Sequence, residues 1–167
     1  AGQADRFGLA GSILVGDLLL NWSSEIFGNA LQYAPTREIE IACRTEFSKM
    51  RVEIMAGQYL DVLEENAGPQ RDASEAVERA NRVMLYKTAK YSIEAPLLIG
   101  SAFAGAGKSA RKSIENFAIP LGLAFQLRDD VLGVFGDPKV TGKPAGDDLR
   151  EGKRTVLIGL TRKVLTG

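Results

Sequence analysis

The stretch SARKSIENFAIPLGLAFQLRDDVLGVF, residues 109–135, decides the fold class. Its apolar residues Ile114, Phe117, Leu121, Phe125, Leu132 and Val134 follow a helical period rather than strand alternation. The pattern predicts a long helix interrupted at Pro120, since proline has no N–H to donate to the preceding turn. The same period governs the flanking chain. Ile39, Cys43, Phe47, Met50, Ile54 and Leu60 mark a second helix, opened at Pro35 as a first-turn proline and stopped at Gly68-Pro69. Asp72 with Glu75 reads as a capping box for a third helix carrying Val77, Val83, Met84 and Tyr91, which Pro96 kinks or breaks. An Ala/Gly-rich helix then runs to Gly105-Gly107. Residues 4–27 form an N-terminal apolar segment closed by Gly28-Asn29, residues 136–153 a glycine-rich charged loop, and a last helix starts near Thr155. Period-two alternation is nowhere sustained. The expected architecture is all-α, with helices packed on helices, over residues 1–167.

Composition limits the chemistry. The 167 residues, 45% hydrophobic and 25% charged, suffice for a buried core and argue against wholesale disorder. Twenty-one basic residues balance twenty-one acidic ones. No net charge draws the chain to nucleic acid or to an anionic membrane, so any anion site must be built locally. With no histidine, Ser-His and Cys-His nucleophiles and imidazole metal ligands are excluded. The single cysteine, Cys43, excludes an internal disulfide and a cysteine-built zinc site. The longest nearly apolar stretch, residues 95–107, is shorter than the roughly 20 residues of a membrane-spanning helix. Asp5 and Arg6 stand where a signal peptide has its basic-then-apolar pattern, so a cytoplasmic location is expected. The chain starts and stops inside helix-like sequence and reads as part of a larger domain.

Several residue groups carry possible chemistry. Gly105-Ala106-Gly107-Lys108-Ser109 imitates the end of a phosphate-binding P-loop, but Ala102 stands where that pattern needs its first glycine. A P-loop also follows a strand, and these residues follow a helix; a helix-ending glycine is the expected reading. Gln126, Asp129 and Asp130, at i, i+3 and i+4, share one helix face. Adjacent carboxylates beside Phe125, Leu127 and Val131 repel each other and lose hydration, a conflict that a divalent cation removes. Hard carboxylate oxygens suit Mg²⁺, which leans on one or two carboxylates plus substrate phosphates. The loop that follows presents Gly136-Asp137, Gly142-Lys143, Asp148 and Gly152-Lys153. Lysines on glycine turns reach a polyanion as point charges, so the carboxylates could hold metal, the metal phosphate, and the lysines the remaining oxygens. Lys87-Thr88 offers a cation beside a hydroxyl. Gln58 and Asp61 share a face that is expected to be surface, and Asp17 is a lone charge on an apolar helix that needs a partner or a wet cavity.

Phe125-Gln126-Leu127-Arg128-Asp129-Asp130, with Gly136-Asp137, Thr141-Gly142-Lys143-Pro144 and Gly152-Lys153-Arg154-Thr155 after it, resembles the trans-isoprenyl diphosphate synthase (polyprenyl synthetase) family, most of all bacterial geranylgeranyl-type members. Gly16-Asp17-Leu18-Leu19, Gly57-Gln58 with Asp61, and Lys87-Thr88 match in the family's order. The resemblance implies a bundle of long, mostly antiparallel helices around a deep cavity, usually a homodimer. It implies a prenyltransferase that joins an allylic diphosphate to isopentenyl diphosphate with Mg²⁺. By motif position Asp129 and Asp130 would hold the metal, Gln126 would sit beside the allylic substrate, Lys87, Lys143 and Lys153 would grip its diphosphate, and Thr88 would orient that end. Lys87, Gln126 and Asp129 would thus be catalytic. Two departures stand out. The family's third aspartate is replaced by Gly133, and the first aspartate-rich motif with its arginine pair would lie upstream of Ala1. The chain is accordingly expected to be an inactive fragment of a synthase, or a non-catalytic subunit of a heteromeric one.

Overall fold

The computed structural model describes residues 2–67, 73–142 and 144–165, and among these every regular element is helical. The all-α expectation holds. The chain forms two compact units, residues 1–41 and 42–167.

The first unit is built on α1 (Gln3–Leu31). The helix runs through Gly28-Asn29, where the sequence pattern ended it. Glycine lowers helix stability by about 1 kcal/mol but stops a helix only where it turns left-handed, and Gly28 does not. Asp17 is exposed on α1. Pro35 lies outside the next helix, because Thr36 caps it: the Thr36 Oγ1 accepts from the Ile39 N–H at 3.3 Å. That helix, α2 (Arg37–Glu65), ends three residues before Gly68.

The second unit holds residues 42–65 of α2, then α3 (Ala76–Met84), a π-helical segment (Leu85–Glu94), α4 (Ala95–Phe103), α5 (Lys108–Phe135), the single turns α6 (Pro138–Thr141) and α7 (Asp147–Arg150), and α8 (Val156–Leu165). Gly68-Pro69 and Asp72 of the proposed stop and capping box lie outside the described residues. Residues 76–103 form one unbroken helical run, so Pro96 does not end it. Pro96 sits where the π ladder hands over to the α ladder, and a missing N–H costs least where the hydrogen-bond register changes. Pro120 likewise lies inside a continuous α5.

The α4–α5 connection settles the P-loop question. Gly105 is left-handed at φ 68°, its N–H donates to Ala102 O and the Ala106 N–H donates to Ser101 O, each at 2.9 Å. This double bond pattern is a helix-terminating motif that requires glycine.

α5 packs chiefly along the π-helical segment, and α8 packs on α3. Ala80, Met84 and Val156 form a small core with Val77 and Leu123, and Leu98 is 1% exposed. Burying a side chain of Leu or Met size contributes about 1.5–3 kcal/mol. Ion pairs tie α2 to its neighbours: Glu53 to Lys90 at 2.6 Å, Glu46 to Arg111 at 2.5 Å and Glu64 to Arg79 at 3.2 Å.

Candidate functional site

Side chains from five parts of the second unit converge on one cavity of about 250 Å³. α2 supplies Asp61, the π-helical segment Lys87 and Thr88, and α5 Gln126, Asp129 and Asp130. The chain from α7 to α8 adds Asp148, Lys153, Arg154 and Thr155. Ala80, Val83 and Met84 of α3 make an apolar wall.

A hydrogen-bond relay crosses the cavity. The Thr88 hydroxyl donates to Gln126 Oε1 at 2.8 Å, and Gln126 Nε2 donates to Asp130 Oδ1 at 2.9 Å. Helical spacing explains the second bond, since Gln126 and Asp130 are four apart on α5. The Lys87 ammonium donates to Asp61 Oδ2. The Lys153 ammonium donates to Asp148 Oδ1 at 2.6 Å and pairs with Glu151 at 3.1 Å.

Charges in the cavity are strongly perturbed. Burial pushes the Asp130 carboxyl above its ordinary range. Asp148 and Asp129 add to the rise, while the Gln126 hydrogen bond and Lys153 oppose it. The bond to Asp148 drives Lys153 well above an ordinary lysine, so it is a permanent cation.

The loop holds two single helical turns among its described residues. Asp137 caps α6 by accepting from the Lys139 N–H at 2.9 Å, and the Gly146 N–H ties the loop to Gly133 O at 3.1 Å. Gly133 also explains the absent third aspartate. The Asp148 carboxylate lies against its Cα, in space that a side chain at 133 would occupy.

The structure thus brings together Lys87, Thr88, Gln126, Asp129, Asp130 and Lys153. Lys143 lies outside the described residues. Gln58 is exposed and does not line the cavity, as expected of a surface residue. Asp61 is not a surface residue: it lines the cavity and holds Lys87, because its face of α2 packs on the π-helical segment. Sequence reasoning also gave Asp148 and Arg154 no role. The signal available for Asp148 was its place between the two Gly-Lys pairs.

The donor set fits a magnesium ion only together with substrate. Among the described residues no three acidic or cysteine side chains approach closely enough to enclose an ion. Asp129 and Asp130 offer hard oxygens on one face, and burial of Asp130 without a counter-cation is costly. Two carboxylates alone would suit an ion that takes its other ligands from water or phosphate.

The family model described as Polyprenyl synthetase matches residues 3–164. Geranylfarnesyl diphosphate synthase of Aeropyrum pernix is 37% identical over 147 residues, 88% of this chain and 44% of that protein. Geranylgeranyl diphosphate synthase of Sulfolobus acidocaldarius is 33% identical over 153 residues, 92% of this chain and 44% of that protein. Among solved structures, geranylgeranyl pyrophosphate synthase of Corynebacterium glutamicum, complexed with isoprenyl diphosphate and magnesium, superposes with a TM-score of 0.85 at 42% identity. That match covers 98% of this chain and 43% of the other. The chain therefore spans less than half the length of these relatives. Among the described residues no helix is long and apolar enough to cross a membrane.

Proposed function

The chain belongs to the polyprenyl synthetase family, and on that premise we propose that it forms the allylic-diphosphate half of a short-chain, geranylgeranyl-type isoprenyl diphosphate synthase. The intact enzyme would condense an allylic diphosphate with isopentenyl diphosphate. The observation that carries this reading is the relay from Thr88 through Gln126 to Asp130, opening on the same cavity as Lys87 and Lys153. A cytoplasmic location and homodimeric assembly belong to the same reading and rest on the family resemblance.

In this reading Lys87 and Lys153 place positive charge on the diphosphate oxygens, with Lys143 added by motif position. The allylic carbon–oxygen bond breaks with its electron pair leaving on diphosphate. Cations fixed in place before that step stabilise the developing charge without reorganising, each worth about 2.7–4 kcal/mol by analogy with an oxyanion-hole donor. Asp129 and Asp130 would hold Mg²⁺, which when bound would supply further neutralisation of the phosphate charge. The Gln126 carboxamide and Thr88 hydroxyl, fixed by each other, would sit beside the allylic substrate and orient that end, as their motif positions imply. The apolar wall of Val83 and Met84 keeps water from it. The isopentenyl double bond attacks that carbon, and the proton then lost passes to the released diphosphate. No histidine is available for it.

Transfer of radiolabelled isopentenyl diphosphate by the intact protein tests the reading. Asp129→Ala should reduce turnover by about a hundredfold or more while the helical circular dichroism persists. Unchanged product formation in that variant would overturn it.

A further inference from the structure

The π-helical segment is held from two sides by glycines. A Cβ added at Gly57 of α2 would lie 2.6 Å from the Lys87 backbone nitrogen and 2.8 Å from the Tyr86 carbonyl carbon. A Cβ added at Gly122 of α5 would lie 2.5 Å from Ala89 Cα and 2.7 Å from Ala89 Cβ. Both clashes involve backbone, so no side-chain rotation relieves them. Ala89, between the two helices, is 0% exposed.

Each glycine sits one turn from a polar contact to the same segment. Glu53, Gly57 and Asp61 lie four apart along α2. Glu53 accepts from Lys90 at 2.6 Å, and Asp61 accepts from Lys87. Gly122 precedes Gln126 by four residues on α5, and Gln126 holds Thr88, the neighbour of Ala89. The two contacts therefore bracket Lys87 and Thr88.

A π-helix needs such support. Each N–H reaches back five residues, as the Ala95 N–H does to Lys90 O, and this wider ladder is rarely stable by itself. It persists where the surroundings over-determine it.

We infer that Gly57 and Gly122 are positioning residues, which fix Lys87 and Thr88 by letting α2 and α5 touch the π-helical backbone. The inference rests on the reading of the cavity as a diphosphate site. A methyl group at either glycine must push the segment away by roughly 1 Å to reach van der Waals contact. Displacements of that size can cost positioned groups up to about a hundredfold.

Calorimetric titration of inorganic diphosphate with Mg²⁺ into the intact protein tests this. Gly57→Ala and Gly122→Ala should each raise Kd by roughly tenfold or more well below the melting temperature. Gly100→Ala, a helical glycine with open space around it, should bind as wild type. Adding Ala89→Gly to Gly122→Ala removes one clashing atom and should recover part of the affinity, although it places a destabilising glycine inside the π-helical segment. Lower melting temperatures with unchanged Kd would reduce the glycines to packing and overturn the inference. If neither alanine variant folds, Ala89→Gly alone decides: it loosens the α5 contact and should weaken Kd severalfold, and an unchanged Kd overturns the inference. Lys87→Ala separates the two levels. If it binds diphosphate like wild type, the reading of the cavity falls. If it loses binding while the glycine variants keep it, only the positioning role falls.

Discussion

α1 and α5 are nearly equal in length, 29 and 28 residues, yet they bury opposite things. α1 buries only Leu31 and leaves Phe7, Leu14, Trp22 and Ile26 exposed. α5 buries Ala118, Gly122 and Asp130, while Phe117, Leu121 and Phe125 on the adjacent stripe stay exposed. Its covered face is thus made of its smallest and most polar residues. Close approach and charge placement, rather than apolar area, decide what α5 turns inward. An apolar period announces that a helix exists; it does not say which stripe does the chemistry.

The largest expected effect that would break this contrast is at Asp129. Its removal should cost turnover about a hundredfold or more, whereas loss of one exposed apolar side chain on α1, such as Ile26→Ala, should leave chemistry per folded molecule within about twofold; radiolabel transfer measures both. Ala118→Leu comes next. The site has no free volume at 0% exposure, so overpacking should destabilise the protein by about 1–3 kcal/mol in urea unfolding, and a neutral result would mean that α5 is less tightly seated than its glycine contacts imply. Gly133→Asp restores the residue usual in the family, but its side chain must expel the Asp148 carboxylate. Affinity for Mg²⁺-diphosphate should therefore fall severalfold, roughly 1 kcal/mol, instead of rising. An increase would show that position 133 can hold metal beside Asp148.

The smallest effect is at Glu94, on the π-helical segment against α2 and α5. Burial raises its carboxyl pKa, with Lys90 and Lys49 opposing and Glu53 and Glu115 reinforcing. The folded state then binds a proton more tightly than the unfolded chain. Stability is highest below the unfolded value of 4.5 and declines as pH rises through the elevated folded value. Glu94→Gln should remove that decline and stabilise the protein at neutral pH by about 1 kcal/mol or less, with the gain vanishing below pH 4.5 in thermal melts.

Much of the site could be read in the chain because its logic is local. Gln126, Asp129 and Asp130 share a face by spacing alone, and the loop carrying Lys143 and Lys153 begins directly after α5. What escaped depends on partners distant in sequence. Nothing in residues 85–94 marks a π register, and the helix backbones that approach the segment closely do so at Gly57 and Gly122, 28 and 37 residues away from its start in sequence. Asp61 looked like surface until Lys87, 26 residues away, was found against it. The prolines mislead too. Pro96 and Pro120 carry the local signature of a kink or break, yet both helical runs continue through them.

Cys43 is the chain's lone thiol, 0% exposed with its Sγ 3.8 Å from Ile99 O. Burial, reinforced by Glu46, raises its pKa and suppresses the thiolate. Maleimides and other thiol labels react with thiolate, so this residue should stay silent in the native protein. A cysteine introduced on an exposed rim of the second unit could then carry a fluorophore or spin label alone, with the natural residue left in place.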